Sequence, residues 1–81
     1  MKEPTRKQIE TIGAVQAAID DTGLPPTTME LCDALGVTGN AVRQRVEACV
    51  KKNLLVRRAR TARGVLLTPE GREALGNSKG A

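Results

Sequence analysis

At 81 residues the chain has room for one domain, and with no Phe, Trp or Tyr its core must be built from Ile, Leu, Val, Met, Ala and Cys. No His and only two Cys leave it without the four ligands a structural zinc site normally takes. The net charge of +4 is unevenly placed: residues 1–50 hold five Lys/Arg against seven Asp/Glu, residues 51–63 hold six Lys/Arg and no acid, and residues 64–81 hold two of each, so one short basic segment points to a polyanionic partner.

Thr5-Arg6-Lys7-Gln8 fits a capping box, and Ile9, Ile12, Val15 and Ile19 then recur at helical spacing to about Thr22. Gly13 inside this helix costs stability relative to Ala and suits close packing by another element; Gly23 ends the helix. Leu24-Pro25-Pro26 is an extended linker. Thr27-x-x-Glu30 is a second capping box. It opens a short helix whose inner face is Met29 or Leu31, with Cys32 and Leu35, and which stops at Gly36 in the left-handed conformation.

Val37 fills the turn and Thr38 caps a third helix (about 39–52). Its inner stripe is Val42, Val46 and Cys49, supported by Val50. Its outer stripe is Asn40, Arg43, Gln44, Glu47 and Lys51. Asn53 takes the left-handed position after it. "LLVRRAR" and "GVLLT" read as two antiparallel strands around a basic loop, with Gly64 near the turn. Thr68-Pro69 starts a last helix that turns Ala74 and Leu75 inward. Residues 1–76 form the expected domain, and 77–81 an expected disordered tail. Cys32 and Cys49 read as core thiols, with a disulfide or redox pair as the alternative.

Two short helices joined by "GVTG" are a helix-turn-helix unit, whose second helix suits the major groove of DNA. Arg43 can give two hydrogen bonds to guanine, and Asn40 or Gln44 can exchange two with adenine. Glu47 can accept from cytosine N4. Thr38 and the N–H groups of Gly39 and Asn40 suit a phosphate at the helix N-terminus. Arg57, Arg58, Arg60 and Arg63 suit the DNA backbone or minor groove from a basic wing (57–64), and Lys51, which precedes it, suits the backbone. Arg45 lies beside the stripe, facing either a flanking phosphate or an acid on a neighbouring helix; Arg6 is a further cation outside the stripe.

The stretch "DDTGLPPTTMELCDALGVTGNAVRQRVEACVKKNLLVRRARTARGVLL" resembles the winged-helix DNA-binding domain of LexA-type repressors, over roughly residues 6–67. The matching pieces are "TGLPPT", "ELCDALG", "NAVRQRVEACVKKNLL" and "ARGVLL"; "LTPEGREAL" is similar instead to the segment after the wing in MarR-type regulators. The resemblance implies base reading at Asn40, Ala41, Arg43 and Gln44. The chain departs from the family in a turn one residue shorter before Asn40, and in Arg43 and Gln44 standing where the family has two acids. The family's operator is therefore not carried over. Nor is its serine/lysine protease domain expected, since Ser78 and Lys79 are adjacent and form no dyad.

The expected fold is thus mainly α with a small β-hairpin (α+β): a winged helix-turn-helix with a three-helix core, a wing and a short C-terminal helix. The expected function is sequence-specific binding of double-stranded DNA by a small transcriptional regulator of bacterial or phage origin. The alternative is a winged helix used for protein–protein contact or as an architectural subunit of a larger nucleoprotein complex. Single-strand or RNA binding fits poorly without aromatic stacking platforms, and no catalytic constellation is present, so no enzyme is expected. No cofactor, metal or small-molecule effector is expected; a homodimer stays open beside a monomer. "MKEPTRKQIE" is no apolar signal segment and no run approaches about 18 apolar residues, so no membrane partner and a cytoplasmic, nucleoid-associated location are expected.

Overall fold

A computed structural model describes residues 4–58 and 64–80, with side chains to residue 76. The elements run α1 (Arg6–Thr22), α2 (Thr28–Leu35), α3 (Gly39–Lys51), β1 (Leu55–Arg57), β2 (Val65–Leu67) and α4 (Pro69–Gly80). This is the winged helix-turn-helix that the sequence predicts.

Local chemistry sets most of the boundaries. In both predicted capping boxes the threonine hydroxyl accepts from the third helical N–H and the glutamine or glutamate reaches back. Gln8 N donates to Thr5 Oγ1 at 3.2 Å and Thr5 N to Gln8 Oε1 at 2.9 Å, while Glu30 N donates to Thr27 Oγ1 at 3.1 Å and Thr27 N to Glu30 Oε1 at 2.9 Å. The turn between α2 and α3 needs a left-handed residue, and Gly36 supplies it with φ 68° while its N–H donates to Cys32 O. After α3 the left-handed residue is Asn53, with φ 61°. The turn is closed by Leu54 N donating to Cys49 O at 2.8 Å.

The two strands pair antiparallel in the register Leu55↔Leu67, Val56↔Leu66, Arg57↔Val65. Leu55, Val65 and Leu67 are buried, and Val56 faces outward. Thr68 ties the wing's exit to the end of α3: its hydroxyl donates to Asn53 O and accepts from Gly71 N, and its N–H donates to Leu54 O at 3.1 Å. One side chain therefore caps α4 and holds the segment through which the third helix passes into the wing.

The core joins Ile12 and Val15 of α1, Leu31 of α2, Val42, Val46 and Cys49 of α3, Leu54 and Leu55, the strand residues Val65 and Leu67, and Leu75 of α4. It is wholly aliphatic but for one thiol, and α1 runs through its centre, touching α2, α3, α4 and β2. Thr11 is fully buried and donates its hydroxyl to Lys7 O at 2.8 Å, so its polar atom is satisfied within the helix.

One alternative the sequence leaves open is resolved, and two details differ from expectation. On α2 it is Leu31, 2% exposed, that turns inward, whereas Met29 is 75% exposed. Val50 lies a helical step past Cys49 and rotates out of the core at 39% exposure. The last helix also continues to Gly80, through residues expected in a tail after 76. No proline follows Pro69 to break the backbone ladder, and helix propagation is cooperative once nucleated at the Thr68 cap.

Gly13 packs against α4 as expected, but it does not need to be glycine. A Cβ there would lie 3.5 Å from Leu75 Cδ1, an ordinary contact. Gly13→Ala should therefore stabilise the fold by about 0.5–1 kcal/mol by reducing the entropy of the unfolded chain. A thermal melt raised by several degrees is expected, and a lowered one would mean that α1 and α4 approach more closely.

Both cysteines are free thiols, Cys49 buried and Cys32 half-buried. Burial pushes the Cys49 thiol from 9.0 up to about 11, opposed by nearby Lys52. Its folded value lies above its unfolded one. The stability this contributes is present in full below pH 9 and lost as the pH rises through about 11. The unfolding free energy from denaturant titrations should fall over that window by an amount on the order of 2 kcal/mol. The fall should be smaller in Cys49→Ala; an equal fall in both would assign it to other groups.

Candidate nucleic-acid interface

The capping threonine fixes where α3 begins and which side faces water. Thr38 Oγ1 accepts from Ala41 N at 3.2 Å. The N–H groups of Gly39 and Asn40, at the first two helical positions, have no intrahelical acceptor, and both residues are exposed. They form the positive end of the helix dipole at the entrance to the stripe.

With Val42, Val46 and Cys49 in the core, helical geometry sends the opposite positions outward. Asn40, Arg43, Gln44, Glu47 and Lys51 are all exposed. Ala41 is half-buried, at the edge of a shallow cleft of about 320 Å³ formed by Thr5, Lys7 and Gln8 of the α1 start with Ala41, Gln44, Arg45 and Ala48 of α3. The stripe thus offers amide, guanidinium, carboxylate and ammonium groups from one rigid helix. An α-helix of this kind fits a groove about 12 Å wide.

The wing lies directly downstream. β1 packs against α3, and the two are separated only by the turn through Asn53. Arg57 and Arg58 are exposed, and Arg58 N donates to Gly64 O at 2.9 Å, continuing the ladder past Arg57. Arg60 and Arg63 lie outside the described residues. Lys51 stands at the last turn of α3, where a cation is favoured by the helix dipole.

Arg45 falls to the side of the stripe, half-buried, with Nη1 4.0 Å from Glu10 Oε1 on α1. This acid on a neighbouring helix is one of the two environments the sequence leaves open for it. Lys7 was not singled out in the sequence. Its place beside Arg45 and Gln44 arises from the packing of α1 on α3, which no local pattern signals. Among the described residues, no group of three or more His, Cys, Asp or Glu could hold a metal ion, and no helix is long and apolar enough to cross a membrane.

Comparison with known proteins agrees with this geometry. The chain is 35% identical over 75 residues to the LexA repressor of Tolumonas auensis, and 34% identical over 79 residues to that of Aeromonas hydrophila. The matches take in 90% and 96% of the chain but only 36% and 38% of those repressors, so the chain spans little more than a third of their length. Among solved structures, Bordetella bronchiseptica BpsR, whose DNA binding is regulated by 6-hydroxynicotinic acid, overlays 98% of the chain on 55% of its own. The TM-score is 0.78 at 23% identity, a likeness of fold. Staphylococcus aureus MepR in complex with DNA overlays 95% of the chain on 55% of its own, at TM-score 0.74 and 26% identity. These neighbours are winged-helix regulators of the MarR type, to which the sequence after the wing is similar. The LexA DNA binding domain model matches residues 1–64, and with α2, the Gly36 turn, α3 and the two paired strands in place the chain belongs to the LexA DNA-binding domain family.

Proposed function

We propose that the chain binds double-stranded DNA sequence-specifically as a transcriptional regulator, with α3 in the major groove and the wing on the backbone or minor groove. The observation that carries this reading is the stripe of α3: five exposed polar or charged side chains, opposite the core, on the helix that leads directly into the arginine-bearing hairpin. Family membership and the DNA complex of MepR support it.

In this reading Asn40, Arg43, Gln44 and Glu47 meet base edges. Arg43 pairs with guanine, the amides with adenine, and Glu47 with a cytosine amino group. Ala41, at the inner margin of the stripe, would give an apolar contact of the kind a thymine methyl accepts. Thr38 and the Gly39 N–H hold a phosphate at the helix entrance, and Lys51, Arg57, Arg58, Arg60 and Arg63 neutralise further phosphates. The role is binding without catalysis, at the nucleoid of a bacterial or phage-infected cytoplasm.

Selection of binding sites from random duplex DNA tests the whole reading. A defined consensus is expected, with affinity falling steeply as salt rises. If two copies bind together, the consensus is a palindrome with half-sites one or two helical turns apart; a single asymmetric site makes the binding unit a monomer. Recovery of no consensus, with binding at the level of random DNA, would overturn the specificity, and perturbation of α1 rather than α3 by a protein partner would favour a protein-contact module.

A further inference from the structure

Resting on that reading, the geometry points to a backbone-phosphate seat in the cleft between the start of α1 and the flank of α3, held by Lys7 and Arg45, with Glu10 competing against the phosphate for Arg45. The cleft is lined by two cations from different elements and by no acid. Its α3 wall is Ala41, Gln44, Arg45 and Ala48, and the two alanines leave room for a phosphate between the longer side chains. It also shares Gln44 with the reading stripe, so it opens beside the surface assigned to the bases. A helix lying in a major groove has a phosphate strand passing along its flank, and this cleft is the concave, cationic feature on that flank.

Arg45 is placed to serve such a phosphate because its present partner holds it weakly. The 4.0 Å separation from Glu10 is too long for a hydrogen bond, and the Glu10 side chain is 53% exposed. The guanidinium fork therefore keeps its donors for a bidentate contact with phosphate oxygens. Arg45 itself is only 20% exposed, but the solvated carboxylate and the long separation make the pair a weak hold on the guanidinium. Glu10 then acts in two ways on the bound state, both unfavourable: it competes for Arg45 and repels the arriving phosphate. Its effect falls on DNA of any sequence, because a phosphate carries no sequence information.

The test uses the full chain with a selected duplex and a scrambled one, titrated across salt concentrations. Lys7→Gln should lower the slope of log affinity against log salt by about 0.9 on both duplexes. Glu10→Gln should tighten both by about two- to fivefold. Made in an Arg45→Gln background, Glu10→Gln should lose most of that gain. Lys7 is exposed, so its variant reports on the seat even if Arg45→Gln is destabilised. A wild-type chain that binds DNA but keeps its salt slope in Lys7→Gln overturns the seat alone. So does a Glu10→Gln gain of equal size with and without Arg45, which would make Glu10 a distant charge. A wild-type chain that binds no duplex overturns the seat together with the reading beneath it.

Discussion

Gly71→Ala is expected to be the most damaging Gly→Ala change among positions 13, 23, 36, 39, 71 and 76. A Cβ at position 71 would lie 2.1 Å from the carbonyl oxygen of Leu54 and 3.0 Å from its carbon. Both are backbone atoms with no rotamer to escape through. That carbonyl also accepts from Thr68 N, and Asn53 O accepts from the Thr68 hydroxyl, so neither wall can shift without breaking the cap of α4. Overpacking of this kind costs about 1–3 kcal/mol or more. A domain of this length has about 4–12 kcal/mol in total. A thermal midpoint lowered by about 10–20 °C is the expected result, read by circular dichroism. A variant melting within a few degrees of the parent would mean that α4 does not seat on the Leu54 segment as drawn. The same substitution carries a functional consequence. Residues 53 and 54 are the joint between α3 and the wing, so whatever Gly71→Ala protein folds should hold its wing displaced and bind DNA more weakly.

Gly71 also marks the limit of what was legible in the sequence. The features read in advance are those whose cause lies within four residues. The two capping boxes, the left-handed Gly23, Gly36 and Asn53, and the inner stripe of α3 each follow from local backbone chemistry or helical period. The wing was legible for the same reason, as two β-rich runs around a basic loop. What was missed or left open depends on which distant surface an element meets. "TPEGREAL" reads as a capped helix, but nothing in it says that position 71 abuts a carbonyl of residue 54. Likewise Met29 and Leu31 are equally apolar, and only the angle at which α2 crosses its neighbours decides that Leu31 is buried. The candidate site divides along the same line. The stripe from Asn40 to Lys51 follows from period alone, whereas Lys7 and the Arg45–Glu10 pair appear only once α1 lies across α3.

Arg43→Ala should give the largest loss of binding from a change that leaves the fold intact. Arg43 is exposed, one turn into α3, and Ala is at least as good a helix former, so the melting temperature should stay where it is. If the guanidinium makes a bidentate contact to a guanine edge, its removal costs about 1–3 kcal/mol, or roughly 5- to 150-fold in affinity. The discrimination that is lost should be confined to one base pair of the selected site. Arg58→Ala supplies the contrast, because a phosphate contact from the wing weakens all sequences alike and lowers the salt slope by about one. The two variants therefore separate reading from holding. Arg43→Ala should change which bases are preferred with little change in slope, and Arg58→Ala should change the slope and leave the preference alone. If Arg43→Ala keeps the parent's consensus and loses affinity evenly over every sequence, Arg43 binds phosphate. The reading of bases would then fall to Asn40, Gln44 and Glu47.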